Sequence, residues 1–173
     1  MTVEERARKI KLLLSDIDGV LTDGKIIYDT FGAEVKSFNV LDGVGLSLTV
    51  SNGIKVILIS ARGSSILRRR ARELNVTKLY QNVRDKSAVF QKLLRRLKLS
   101  ADEVCYMGDD LPDLAPLGAV GLAVAPANAH PWIAERVHWQ TRADGGRGAA
   151  RELCDILLAA QGHVDAVLAR FGA

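Results

Sequence analysis

The sequence predicts an α/β fold, a parallel β-sheet flanked by helices. Two observations carry that prediction. Short β-branched or Leu-rich runs alternate with helical patterns, which implies parallel strands joined by right-handed crossovers. Clusters of carboxylates directly follow two of those runs, and parallel sheets bind ligands at the carboxyl ends of their strands. At 173 residues the chain suggests one domain, 1–173, able to bury a core without staples.

Taken in order, Lys11 to Ser15 reads as a buried strand leading into Asp16. The stretch from Asp18 to Asp42 breaks the rhythm. Thr22-Asp23-Gly24 is a turn signal before Lys25 to Tyr28, and Phe31-Gly32 is another before Glu34 to Val40. Two short strands around a turn make a β-hairpin, about 22–40, inserted where it overhangs the strand ends. Gly45 to Val50 reads as helix, Lys55 to Ile59 as the second core strand, and Ser65 to Leu74 and Lys86 to Leu97 as helices. Glu103 to Met107 is the third core strand, a short helix follows Asp110, and Val120 to Ala125 is the fourth strand. Ser100 and Glu103 have capping-box spacing, although Glu103 borders a strand. Gly145 to Gly148 is expected to be a flexible loop feeding an apolar-periodic helix from Ala149 to Gln161.

Composition excludes several function classes. Hydrophobic residues at 48% and charged residues at 25% match an ordinary globular protein. The net charge of +4 is too weak a bias to indicate nucleic acid. No apolar run approaches the roughly 20 residues that span a bilayer, so no membrane partner is expected. The charged N-terminus (Glu4, Glu5, Arg6, Arg8, Lys9) is unlike a signal peptide, and a cytoplasmic location is expected. Cys105 and Cys154 form neither CxxC nor a metal-ligand spacing. The sequon Asn75-Val76-Thr77 is read as chance.

The chemistry lies at the strand ends. Asp16 and Asp18, two residues apart, can both face one site as the chain turns out of the sheet at Gly19. Asp109, Asp110 and Asp113 follow the third strand after Gly108, on the same sheet edge. Converging carboxylates repel one another, and a divalent cation is the simplest compensation; an all-oxygen donor set indicates Mg²⁺. Ser60 ends the second strand, Arg62 follows it, and Lys86 begins a helix between the second and third core strands. A hydroxyl and two cations beside a metal-bound carboxylate suit a phosphoryl group, whose transfer depends on positioning and charge stabilisation. An Asp carboxylate can itself attack phosphorus. A lone DxD is weak, and GDDLPD alone reads equally as a helix cap; the ordered conjunction decides. The chain has no GxxxxGK[ST], no third glycine after Gly43 and Gly45, and neither HExxH nor GxSxG.

The ordered set Asp16-x-Asp18-Gly19-Val20-Leu21-Thr22-Asp23-Gly24, Ile59-Ser60-Ala61-Arg62, Lys86 and Gly108-Asp109-Asp110-x-x-Asp113 resembles the haloacid dehalogenase superfamily. Phe38-Asn39-Val40-x-Asp42-Gly43, Ala129-His130-Pro131 and Gly145-Gly146-Arg147-Gly148-Ala149-x-Arg151-Glu152 narrow the resemblance to its capless 3-deoxy-D-manno-octulosonate 8-phosphate phosphatases. The resemblance covers roughly residues 11 to 162. It implies a Rossmann-like sheet whose β-hairpin takes the place of a cap domain. It implies Asp16 as nucleophile, Asp18 as acid and then base, and Ser60 and Lys86 as phosphoryl ligands. Mg²⁺ is implied on the Asp16 side chain, the Asp18 backbone carbonyl and Asp109. Asn39, Val40, Leu41, Asp42, Gly43, Arg62 and Arg70 match positions that contact substrate in the family, with Asp110 and Asp113 supporting. It also implies a homotetramer whose hairpins pair around a central axis, and a phosphorylated sugar acid as the small-molecule partner. Arg147 on its glycine loop is read two ways, as a charge brought over the site or as the lead-in to a packed helix.

Two departures bear on substrate. Leu41 and Ser47 stand where relatives carry Arg, and Leu does not replace a bidentate Arg. They keep a sialic-acid-type nonulosonate 9-phosphate as a rival substrate. Asn82 stands where Gly is common and is expected to hold a similar turn. Outside the enzyme class, the rivals are a phosphoacceptor domain and a noncatalytic oligomerisation module.

Overall fold

The computed structural model describes residues 1–172. Its centre is a six-stranded parallel sheet. In chain order the strands are β1 (Leu12–Ser15), β4 (Lys55–Ile59), β5 (Lys78–Tyr80), β6 (Val104–Met107), β7 (Leu122–Ala125) and β8 (Trp139–Gln140). Their spatial order is β5-β4-β1-β6-β7-β8. The order reverses between β1 and β6, and the crevice beyond that switch point is where such sheets bind ligands.

Alternate residues of the strands face opposite layers, as a pleated sheet requires. Leu13, Val56, Leu58, Cys105 and Val124 pack on one side with α1 (Val3–Ala7), α2 (Val40–Ser51), α3 (Ser65–Glu73) and α7 (Ala149–Ala160). Leu12, Leu14, Ile57, Ile59 and Tyr106 face the other side, against Phe90 and Leu93 of α4 (Lys86–Leu97) and Leu117 of α5 (Leu114–Leu117). Two short helices, α6 (Pro131–Ala134) and α8 (Val164–Ala169), complete the chain.

The inserted hairpin consists of β2 (Ile27–Tyr28) and β3 (Glu34–Val35), antiparallel, with Ile27 opposite Val35. Its turn is closed by Asp29, whose Oδ1 accepts from the backbone of Phe31 and Ala33. The return strand expected to reach Val40 ends at Val35 instead. Asn39 caps a helix there, its Oδ1 accepting from Leu41 N at 2.7 Å, so α2 begins at Val40 and not at Gly45.

The fourth core strand begins at Leu122 and not at Val120, and two strands go unpredicted because they are short. β5 and β8 have three and two residues, too short to show a period. The Ser100–Glu103 capping box is present, on a 3-10 turn before β6. Asn82 adopts φ +57°, a left-handed conformation open to glycine, at the turn expected of it. Gly145 to Gly148 is not a free loop. Gly146 N donates to Val20 O at 2.8 Å and Gly145 N to Asn128 Oδ1 at 2.8 Å. A side chain at Gly145 would collide with the backbone of Gly19, so glycine serves close approach here.

Candidate active site

The strand register brings the two acidic segments together. Ser15 lies opposite Met107 on paired β1 and β6, and Asp16 N donates to Met107 O at 2.9 Å. Asp16 and Asp109 therefore leave the sheet side by side. Gly19 sits against the Asp109 carboxylate, which any Cβ there would strike, and its φ is +94°. The cavity above these ends measures about 250 Å³ and is lined by Asp16, Asp18, Arg62, Lys86, Asp109 and Asp110 among others.

Lys86, at the first position of α4, is buried. Its Nζ lies 2.9 Å from Asp16 Oδ2 and 2.6 Å from Asp113 Oδ1. Burial alone would lower its pKa; the two carboxylates outweigh burial and hold it above the ordinary lysine range. Asp113 has both oxygens occupied. Oδ1 accepts from Lys86 and from the Tyr106 hydroxyl at 2.6 Å, and Oδ2 accepts from Asp109 N at 3.2 Å. Burial, reinforced by the Asp113 charge, pushes the Tyr106 phenol well up and keeps it a donor.

Asp16 and Asp109 are pushed up to about 7. Burial is the main cause for both. Asp113 adds to it at Asp16, Asp16 and Asp113 at Asp109, and Lys86 opposes both shifts. A carboxylate oxygen each from Asp16, Asp109 and Asp113 lie within 4.8 Å of one another. Asp109 Oδ1 is buried and has no hydrogen-bond partner. An orphaned anionic oxygen among carboxylates that resist ionising fits a hard divalent cation. Asp113 is already committed to three donors, which leaves Asp16 and Asp109 as the side chains free to hold one.

Asp18 lines the same cavity. Its Oδ2 accepts from Ser60 Oγ at 3.3 Å, and its Oδ1 pairs with Lys36 Nζ. Ser60 is fully buried and also accepts from Arg62 N at 3.0 Å. Glu34 Oε1 takes both Lys36 Nζ at 3.1 Å and Arg62 NH2 at 3.0 Å. Hydrogen bonds to Asp18 and Glu34 outweigh the cost of burial and raise the Lys36 pKa. Lys36 and Glu34 were not singled out in the sequence. The available signal was alternation: residues 34 and 36 share one face of the hairpin's return leg, with Val35 on the other.

The remaining sequence candidates lie elsewhere. Asn39, Val40, Leu41, Asp42, Gly43 and Arg70 are absent from the lining of this cavity. Arg70 donates to Asn39 O at 3.4 Å and its guanidinium carbon stands 5.5 Å from the centre of the Phe38 ring. Asp42 is buried and turned toward α7, accepting from Gly148 N at 3.2 Å and Arg151 N at 2.9 Å. Ser47 donates to Leu74 O at 3.4 Å, facing α3 and not a ligand. Arg147 is exposed, near Asp23, outside the cavity lining. The docked glycines hold its loop in place, which removes the expected flexibility. A larger cavity of about 810 Å³ lies between α3 and β5, lined by Arg68, Arg72 and Gln81, without converging carboxylates.

A parallel sheet with an aspartate pair after its central strand, a lysine-paired carboxylate and an acidic second motif defines a haloacid dehalogenase-like hydrolase. The family model of that description matches residues 71–153. A 3-deoxy-D-manno-octulosonate 8-phosphate phosphatase from Yersinia pestis is 43% identical over 163 residues, spanning 94% of this chain and 87% of the relative. A solved structure from Xanthomonas campestris is 53% identical with a TM-score of 0.96, covering 99% of this chain and 93% of that one. The 3-deoxy-D-manno-octulosonate 8-phosphate phosphatase of Moraxella catarrhalis, solved with magnesium, phosphate and KDO, is 37% identical with a TM-score of 0.95, covering 98% and 97%. The chain belongs to this family of haloacid dehalogenase-like phosphatases and is a phosphoric monoester hydrolase. The phosphoacceptor and noncatalytic alternatives give way to that membership.

Proposed function

We propose that residues 1–173 form one phosphatase domain that uses Mg²⁺ to hydrolyse 3-deoxy-D-manno-octulosonate 8-phosphate to the free sugar acid and phosphate. The observation that carries this reading is the orphaned Asp109 oxygen beside the Lys86-paired Asp16, in a chain 37% identical to a relative solved with magnesium, phosphate and KDO. Asp16 and Asp109 side chains, with the Asp18 backbone carbonyl, are the proposed metal ligands. When bound, the ion shields the negative charge shared by Asp16 and the phosphoryl group.

Asp16 is the proposed nucleophile. Its carboxylate oxygen bonds to phosphorus as the bond to the sugar oxygen breaks, and Asp18 gives that oxygen its proton. Water then attacks the aspartyl-phosphate, Asp18 takes the water's proton, and the bond from Asp16 to phosphorus breaks. One carboxyl thus serves both half-reactions. Ser60 and Lys86 hold phosphoryl oxygens, and the Lys86 ammonium favours the ionised form of Asp16, opposing the upward push of burial and Asp113. Arg62 and Asp110, at the cavity rim, contact the sugar.

Exposed apolar side chains on the hairpin, Ile26, Ile27, Tyr28, Phe31 and Val35, support self-association as a homotetramer. Among the described residues no helix is long and apolar enough to cross a membrane; a cytoplasmic location is part of the proposal.

Phosphate release with and without Mg²⁺ tests the reading, on a panel of the eight-carbon acid phosphate, a nonulosonate 9-phosphate and hexose phosphates. Metal-dependent turnover led by the eight-carbon compound, lost in Asp16→Asn, is expected. Preference for the nine-carbon compound would reassign the substrate, and no turnover by folded, metal-binding protein would sink the reading.

A further inference from the structure

Lys36 is the one lysine on the hairpin's return leg, and its side chain is 2% exposed. A buried ammonium is costly unless it is paired and hydrogen-bonded. Here it is paired twice, with Asp18 and with Glu34 at 3.1 Å. The Asp18 carboxylate is consequently gripped on both oxygens, by Lys36 from the hairpin and by Ser60 from the end of β4. The two grips are unequal in use. Ser60 has a single hydroxyl proton, and donating it to a phosphoryl oxygen withdraws it from Asp18. Lys36 has three protons and a fixed second anchor in Glu34, which Arg62 ties to the β4 loop at 3.0 Å. With substrate bound, Lys36 is the restraint that remains.

We propose that Lys36 is a positioning residue that holds the Asp18 carboxyl on the leaving-group oxygen, with Glu34 as its anchor. This rests on the reading of Asp18 as acid and base. It makes the hairpin part of proton delivery as well as a cover for the strand ends.

The test compares two leaving groups. An alkyl alcohol leaves as a poor alkoxide and needs the Asp18 proton, whereas p-nitrophenolate leaves without one. The quantity kcat/KM reports the half-reaction in which the leaving group departs. Lys36→Met is expected to lower kcat/KM on the best sugar phosphate of the panel by about tenfold or more beyond any loss on p-nitrophenyl phosphate, part of the 10²–10⁴ that general acid catalysis supplies. Lys36→Arg is expected to recover part of that difference. Equal losses on both substrates would mean that Lys36 serves the hairpin's fold alone and would overturn the proposal. So would a rise in KM at unchanged kcat, which marks an anion-binding residue, or full retention of activity. If Lys36→Met does not fold, Glu34→Gln leaves the ammonium on Asp18 and loosens its anchor, and the same leaving-group difference, smaller, is expected. Wild-type protein inactive on both substrates would instead defeat the phosphatase reading itself.

Discussion

Asp113 commits both oxygens to Lys86, Tyr106 and the Asp109 backbone, which places it behind the site as a buttress. Asp113→Ala leaves the buried Lys86 with one partner in place of two. A loss of about 3 kcal/mol is expected, as when a buried pair is broken, readable by urea denaturation. A fall of about 10–100-fold in Mg²⁺ affinity is expected by calorimetry, because Asp109 loses its support. The raised carboxyls give a pH dependence with a definite sign. Folding holds the protons of Asp16 and Asp109 more tightly than the unfolded chain does, so their contribution is full below the ordinary value of 3.8 and is lost as pH rises through about 7. Mg²⁺ competes with those protons. Its effect on the melting temperature should therefore be larger near about pH 8 than near about pH 5, and equal shifts at both would contradict the assignment. Asp16, Asp18 and Asp109 were legible in the sequence because fixed short spacings place them after recognisable strands, and Lys86 because it opens a recognisable helix. Lys36 and Glu34 were not, because their partners lie 18 and 28 residues away and only folding joins them.

At the scale of elements, Asp42 shows how a family mark can serve structure. The N-cap of α7 is Gly148, which has no side chain to satisfy the first N–H groups of the helix. Asp42 of α2 supplies the missing acceptor from 106 residues earlier, at the positive end of the helix dipole. Burial raises its carboxyl while the backbone N–H groups of Arg151, Gly148 and Ala150 pull it down. Asp42→Ala should cost about 1–2 kcal/mol of stability, as loss of a cap does, and leave kcat nearly unchanged. A collapse of kcat with unaltered denaturation would return Asp42 to the substrate. The longer elements were legible: β4 and α4 have the bounds expected, and α3 and α7 each end one residue short. The start of α2 was not, because Phe38 to Val40 carries apolar residues that suit a strand until Asn39 caps a helix.

Across the whole molecule, the hairpin is the region without a core of its own. Phe31 is 94% exposed at its tip. Phe31→Asp should leave monomer stability within about 0.5 kcal/mol, as at other surface positions, while light scattering shows a smaller assembly than the wild type. An unchanged assembly would count against the proposed pairing of hairpins in a tetramer. The alternation of strands and helices made the sheet legible, but the order β5-β4-β1-β6-β7-β8 became visible only once the register joined Ser15 to Met107. The docking of Gly145 and Gly146 on the loop after β1 has a consequence for biosynthesis. On the ribosome, Asp16 and Asp18 emerge early, yet their partners Lys86, Asp109 and Asp113 come much later and the bracing glycines later still. A nascent chain that stops at Leu99 has β1 with one edge open and its carboxylates without their second motif. Translation must pass Asp113 before the acidic pocket has all its lining residues, so the protein acquires its chemistry only in the second half of its own synthesis.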